Sequence, residues 1–219
     1  HDQTGPVTAD VDIADGTMAH WDDVIDELFG VNDGAGVLQI DATVPVTVAA
    51  RSYHQEGAGS YGQLLRAVAG PDVLRGNGRG VLSPLRGGAQ FRSNVGFSNL
   101  SEGECSVHVG LSDAAGELQV DLGEIRLDGI SWRQLNDVVP ESLDLAIGLI
   151  DVSGSCMVWA YASVIDRVTG DSTLVPVERE VTYSWPSARG WMPGKGTLTS
   201  GRMPAPSISW REGVCIDGW

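Results

Sequence analysis

Histidine, clustered aspartate, serine beside histidine, and tryptophan are the side chains here whose types and spacing have the chemistry to form a site. An N-terminal histidine offers copper both its amine and a ring nitrogen, and imidazole suits that metal. His1, with His20, His54 or His108 as a distant second ligand, is therefore the pattern of a copper-dependent oxidase, although a chain boundary accounts for His1 equally well. The stretch DVDIADG sets Asp10, Asp12 and Asp15 near the spacing of a calcium loop, with Gly16 for the turn. Calcium takes six or more oxygens in a regular ligand register, and that register is broken here. The ordinary reading is a strand with Asp10 and Asp12 on one face, followed by a turn. Ser52 and His54 lack the sharp elbow that exposes a catalytic serine. The run RGNGRG lacks the preceding strand and following helix of a phosphate loop. Paired carboxylates for glycosidic chemistry cannot be chosen from 29 acidic residues, since only separation in space distinguishes a pair. No catalytic centre is legible.

The tryptophans are the more informative set. Trp185, Trp191, Trp210 and Trp219 crowd the end of the chain beside proline and glycine. Indoles so placed stack on sugar rings, anchor a protein partner, or cap an apolar end of the fold; tryptophan is enriched at interface hot spots.

The elements that must position these residues are strands. Segments 37–53, 91–100, 105–113, 117–132, 145–152 and 156–166 are rich in β-branched residues and are separated by DG, GxG and SG turns, the spacing of an all-β sandwich or barrel. In SVHVGL the alternation sends Val107, Val109 and Leu111 inward and His108 outward. One short helix is predicted in HWDDVIDELFG, with Val24, Ile25, Leu28 and Phe29 on one face and Gly30 ending it. Its counterpart in a second half is WRQLNDVVPESL, 132–143.

That correspondence belongs to an internal duplication. Each half reads as a strand with a DG turn, an aromatic with a D-V pair, two long strands joined near Pro45 or Cys156, and a closing strand–turn–strand unit, ARSYHQEGAGSYGQLLRAV and then YASVIDRVTGDSTLVPVE. Ser52 aligns with Ser163 and Gly59 with Gly170. A repeat of this length implies duplicated domains. The first half lacks the opening strands that FRSNVGFSNLSEGECSVHVGLSD supplies to the second.

The motifs FRSNVGFSNLS, ARSYHQEGAGSYGQ and AYASVIDRVTGDSTLVP resemble those of tandem Ig-like β-sandwich repeats in secreted bacterial surface and exoprotein modules, whose units read like FRTNVGLVN, SRTYN with TYGQ, and AYASVVDN with GDPTFVP. The resemblance spans about residues 10–178. It implies Ig-like sandwiches and a secreted, periplasmic or cell-surface location, and it carries no catalytic residues with it. In such an oxidising compartment Cys105 and Cys156, both at strand starts of one repeat, are expected to form a disulfide, leaving Cys215 over.

Charge restricts the partners. The chain has 14 basic and 29 acidic residues, a formal charge of −15, which opposes binding to nucleic acid or to an anionic membrane surface. No run approaches the ~20 apolar residues of a membrane-spanning helix, and no cofactor is called for. The expected organisation is therefore all-β: a first sandwich in 1–70, truncated at its N-terminus; a linker and connecting strand in 71–90; a second sandwich in 91–178; and a Trp/Pro/Gly-rich tail in 179–219 that packs on the sandwiches or on a partner. The expected role is a non-enzymatic structural module whose partners are protein subunits of a larger extracellular assembly, homo- or hetero-oligomeric. A carbohydrate-binding accessory module is the alternative, and a copper-dependent oxidase using His1 the third reading. A sandwich missing its opening strands exposes unpaired backbone along an edge, which another strand must cover.

Overall fold

A computed structural model describes residues 7–32, 36–56, 59–68 and 72–179, together with the backbone of 212–216. Among the described residues the chain is all-β with one short helix. Helix α1 (Val24–Phe29) starts at Asp23, whose carboxylate accepts from the amides of Ile25 and Asp26 at 3.1 and 3.0 Å. Gly30 ends it in the left-handed conformation, φ 63°, which costs a residue without Cβ little. Val24, Ile25, Leu28 and Phe29 are its half-buried face.

The strands in chain order are β1 (Gly36–Ile40), β2 (Ala49–Glu56), β3 (Gly59–Arg66), β4 (Leu74–Arg75), β5 (Arg79–Arg86), β6 (Phe91–Asn99), β7 (Cys105–Ser112), β8 (Leu118–Leu127), β9 (Ser131–Leu135), β10 (Leu145–Ser153), β11 (Met157–Asp166), β12 (Ser172–Pro176), β13 (Glu178–Arg179) and β14 (Glu212–Ile216). Two five-stranded sheets form the body. One runs β13-β5-β10-β7-β8, the other β12-β11-β6-β9 with β4 also on β11. Their facing sides share one apolar cluster that includes Leu82, Leu85, Val95, Phe97, Val107, Val109, Leu111, Ile150, Val158 and Ala160. Alternation produces it: along β7, Val107, Val109 and Leu111 are fully buried while His108 is exposed.

Several boundaries follow from local chemistry. The apolar stretch 37–53 divides into β1 and β2 around Pro45, which has no N–H for a ladder. The stretch 117–132 divides at the Asp128-Gly129 turn, where Ile130 takes φ 47°. Residues 132–143 are not helical, unlike the segment they were matched to. Ser131–Leu135 is instead β9, paired antiparallel with β6, and Trp132 donates its indole N–H to the Tyr161 hydroxyl at 3.1 Å. Asp137 at φ 51° and Pro140 then bar a helix beyond it. Within the stretch 71–90, β5 lies inside a sheet between β13 and β10. Pro84 is tolerated there because the β5–β10 register shifts between Ala146 and Gly148, leaving it outside the regular ladder.

Candidate functional site

Strand β11 is buried on both faces, so a further layer covers the sheet it belongs to. Val158, Ala160 and Ala162 face the sandwich core, whereas Trp159, Tyr161 and Ser163 alternate with them and are equally buried. Tyr161 lies over Gly96 of β6, where any Cβ would overlap its ring. Its hydroxyl accepts from Trp132 and donates to Gln134 Oε1 at 3.0 Å, and Trp159 stacks on it with centroids 4.8 Å apart.

Over Ser163 and the β11–β12 turn the covering layer is the β2–β3 hairpin. Gln63 of β3, only 3% exposed, accepts a hydrogen bond from Ser163 Oγ at 3.1 Å. Tyr61 packs against Gly170 in the β11–β12 turn; a Cβ there would come within 2.8 Å of the ring. Leu65 and Ser52 are buried in the same layer. The opposite side of the hairpin faces solvent and carries Arg51, Tyr53 and Leu64, with the Arg51 guanidinium 5.7 Å from the Tyr53 ring centre. Strand β1 pairs antiparallel with β14, Val37 opposite Cys215, so part of the tail lies in register on the first half of the chain.

The two strand–turn–strand units are both hairpins, and their registers correspond: Ser52 opposes Gln63 in one, Ser163 opposes Leu174 in the other. β3 pairs with β2 along one side only, and among the described residues no strand pairs with its other side. Beside that free edge runs a groove of about 480 Å³, lined by Gly62, Gln63 and Leu64 from β3 and by Ser172, Thr173, Leu174 and Pro176 from β12. Two of its polar atoms, Gln63 Nε2 and Ser172 Oγ, are buried without a hydrogen-bond partner among the described residues. Such atoms are uncommon in folded proteins and ask for an explanation.

The residues singled out in the sequence fall elsewhere. Asp10, Asp12 and Asp15 are exposed, and no group of three or more His, Cys, Asp or Glu among the described residues is arranged to hold a metal. His20 lies 3.8 Å from Asp22 and His108 2.9 Å from Asp121, both on the surface, while the His54 ring sits against Tyr61. Ser52 is buried, and His54, two residues further along β2, has its ring against Tyr61. His1, Trp185, Trp191, Trp210 and Trp219 lie outside the described residues. Cys105 and Cys156 are joined by a disulfide, with Cα atoms 5.7 Å apart. Asp166 holds the β11–β12 turn: its carboxylate accepts from the amides of Val168 and Thr169 at 2.7 and 3.2 Å. The Val168 amide is the main cause that keeps this carboxyl below its ordinary value of 3.8.

Sequence reasoning missed the groove, although SYGQ, which contains Gln63, is one of the motifs behind the family resemblance. No family model and no curated protein matches this chain. Among solved structures, one described as the crystal structure of Thermotoga maritima 1070 aligns with 9% identity over 48% of this chain and 92% of its own, at a TM-score of 0.37. A likeness that slight carries no argument.

Proposed function

We propose that this chain is a non-enzymatic structural module of an extracellular assembly, built from a duplicated Ig-like unit and joined to protein subunits through a sheet edge. The observation that carries the reading is the free edge of β3. It is 8 residues long, beside an open groove, and from Gly59 to Leu65 it holds no charge and no proline. Folded proteins protect such edges with charge, proline, bulges or short length. Three edges of the two large sheets have these devices: β8 carries Asp121, Glu124 and register shifts against β7, β12 ends in Pro176, and β13 has 2 residues. The matching registers of the two hairpins support the duplication, and the disulfide supports an oxidising compartment.

The test is solution mass against concentration. The parent chain should exceed its 23.1 kDa monomer mass as concentration rises. Placing protective charges on the edge, in the exposed Ser60→Lys/Leu64→Lys double variant, should return it to monomer. A parent chain that stays monomeric with itself and is retained instead on insoluble glycans would overturn the reading.

A further inference from the structure

The chain carries a segment shaped like the missing strand. In Val7–Ile13, VTADVDI, Val7, Ala9, Val11 and Ile13 alternate with Thr8, Asp10 and Asp12, which is the pattern of a half-buried strand. Yet this segment forms no strand. Every residue in it is exposed, with Val7 at 55%, Val11 at 40% and Ile13 at 48%. A row of apolar side chains left in water, on a backbone with strand periodicity, is a ligand in search of a sheet.

The groove beside β3 has complementary features. The Gln63–Ser163 hydrogen bond stacks β3 over β11, and the groove's other wall is β12, the next strand of that sheet. The ledge left beside β3 above β12 therefore suits one added strand, since neighbouring strands lie about 4.8 Å apart. Leu174 and Pro176 offer apolar contact, and Gln63 Nε2 is, among the described residues, a buried donor without an acceptor. The hairpin also presents Arg51 on its exposed face, in a chain of net charge −15. Asp10 and Asp12 on the donor segment are the right sign for it.

We propose that Val7–Ile13 of one copy adds as a strand to the free edge of β3 in a second copy, with its apolar side chains over Leu174 and Pro176. This rests on the assembly reading above and names the partner as the chain itself. Donor and acceptor are different surfaces, so the contact is heterologous and propagates into a ring or an open chain of subunits.

Two variants and a peptide test it. Val11→Asp/Ile13→Asp removes the donor, and Leu64→Asp/Thr173→Asp blocks the acceptor; all four positions are exposed, so folding should be little affected. Self-association of each variant should weaken at least about tenfold: the donor's new carboxylates have to enter an apolar contact, and an aspartate at position 64 faces Asp10 and Asp12 of the donor across the new ladder. Mixing the two variants should give a 1:1 dimer and nothing larger, since one live junction remains. A labelled synthetic peptide of residues 7–14 should bind the donor-deficient chain and not the acceptor-blocked one. If the parent chain associates but the donor-deficient chain associates equally well, the strand assignment is wrong while the assembly reading stands. A parent chain that is monomeric, with a donor-deficient form that binds the peptide, means the segment closes the groove of its own chain, and the second copy is overturned. A monomeric parent whose donor-deficient form ignores the peptide overturns donor and acceptor together.

Discussion

Reducing the Cys105–Cys156 disulfide should cost this protein about 4 kcal/mol. The bridge spans a sequence separation of 51 residues. In the chain-entropy model a loop of that size loses about 14 cal/mol/K in the unfolded state, or roughly 4 kcal/mol at room temperature. Little else offsets or adds to this term, because both cysteines are buried, 2% and 4% exposed, and a free thiol in such a place behaves as a small apolar group. The bridge ties the start of β7 to the residue before β11, and so links the two sheets of the sandwich. For a chain of this length each kcal/mol shifts Tm by about 2–4 °C, so the Cys105→Ala/Cys156→Ala variant should melt about 8–16 °C below the parent. Far-UV circular dichroism with and without reductant reads it, with mass spectrometry of alkylated protein to confirm which thiols are free. A double variant that melts within about 2 °C of the parent, with the parent's bridge verified, would refute the entropic account for this loop.

Other outcomes follow from packing and turns. Gly96→Ala places a methyl inside the Tyr161 ring position and should destabilise by about 1–3 kcal/mol in urea unfolding, while loosening the Tyr161–Trp132 hydrogen bond. Phe97→Ala, at a fully buried position between the sheets, should cost about 3–5 kcal/mol by the same measurement. Because the Asp166 carboxyl is held below its ordinary 3.8, its contribution to the β11–β12 turn is present above that pH and is lost as pH falls through its lowered value. Hydrogen exchange of the Val168 amide should therefore accelerate in acid relative to neighbouring strand amides, and Asp166→Ala should show the faster exchange at neutral pH. Gly170→Ala combines a strained φ of +78° with a clash against Tyr61 and should weaken the docking of the β2–β3 hairpin, read as increased proteolysis of that hairpin with the β7–β10 sheet intact.

How much of this was legible in sequence depends on how local the cause is. Alternation along SVHVGL put Val107, Val109 and Leu111 in the core because side-chain period in a strand is a backbone property. Asp23 and Gly30 bounded α1 because capping is decided within a few residues. The corresponding registers of the β2–β3 and β11–β12 hairpins are set by their turns and strand patterns, which is why two segments of similar letters pair alike. Trp132, Asp137 and Pro140 show the limit: the segment matched in letters to α1 contains a strand, β9, and its indole is partnered by Tyr161, far along the chain. Burial of Trp159, Tyr161 and Ser163 was equally hidden. A strand with both faces covered reads as an apolar run whatever covers it, and that cover comes from residues the chain places close only on folding. The groove is the extreme case. Gln63 and Leu174 lie 111 residues apart on different hairpins, and no spacing rule connects them; their meeting, and the strand edge they leave open, is a product of how the hairpin stacks on the sheet.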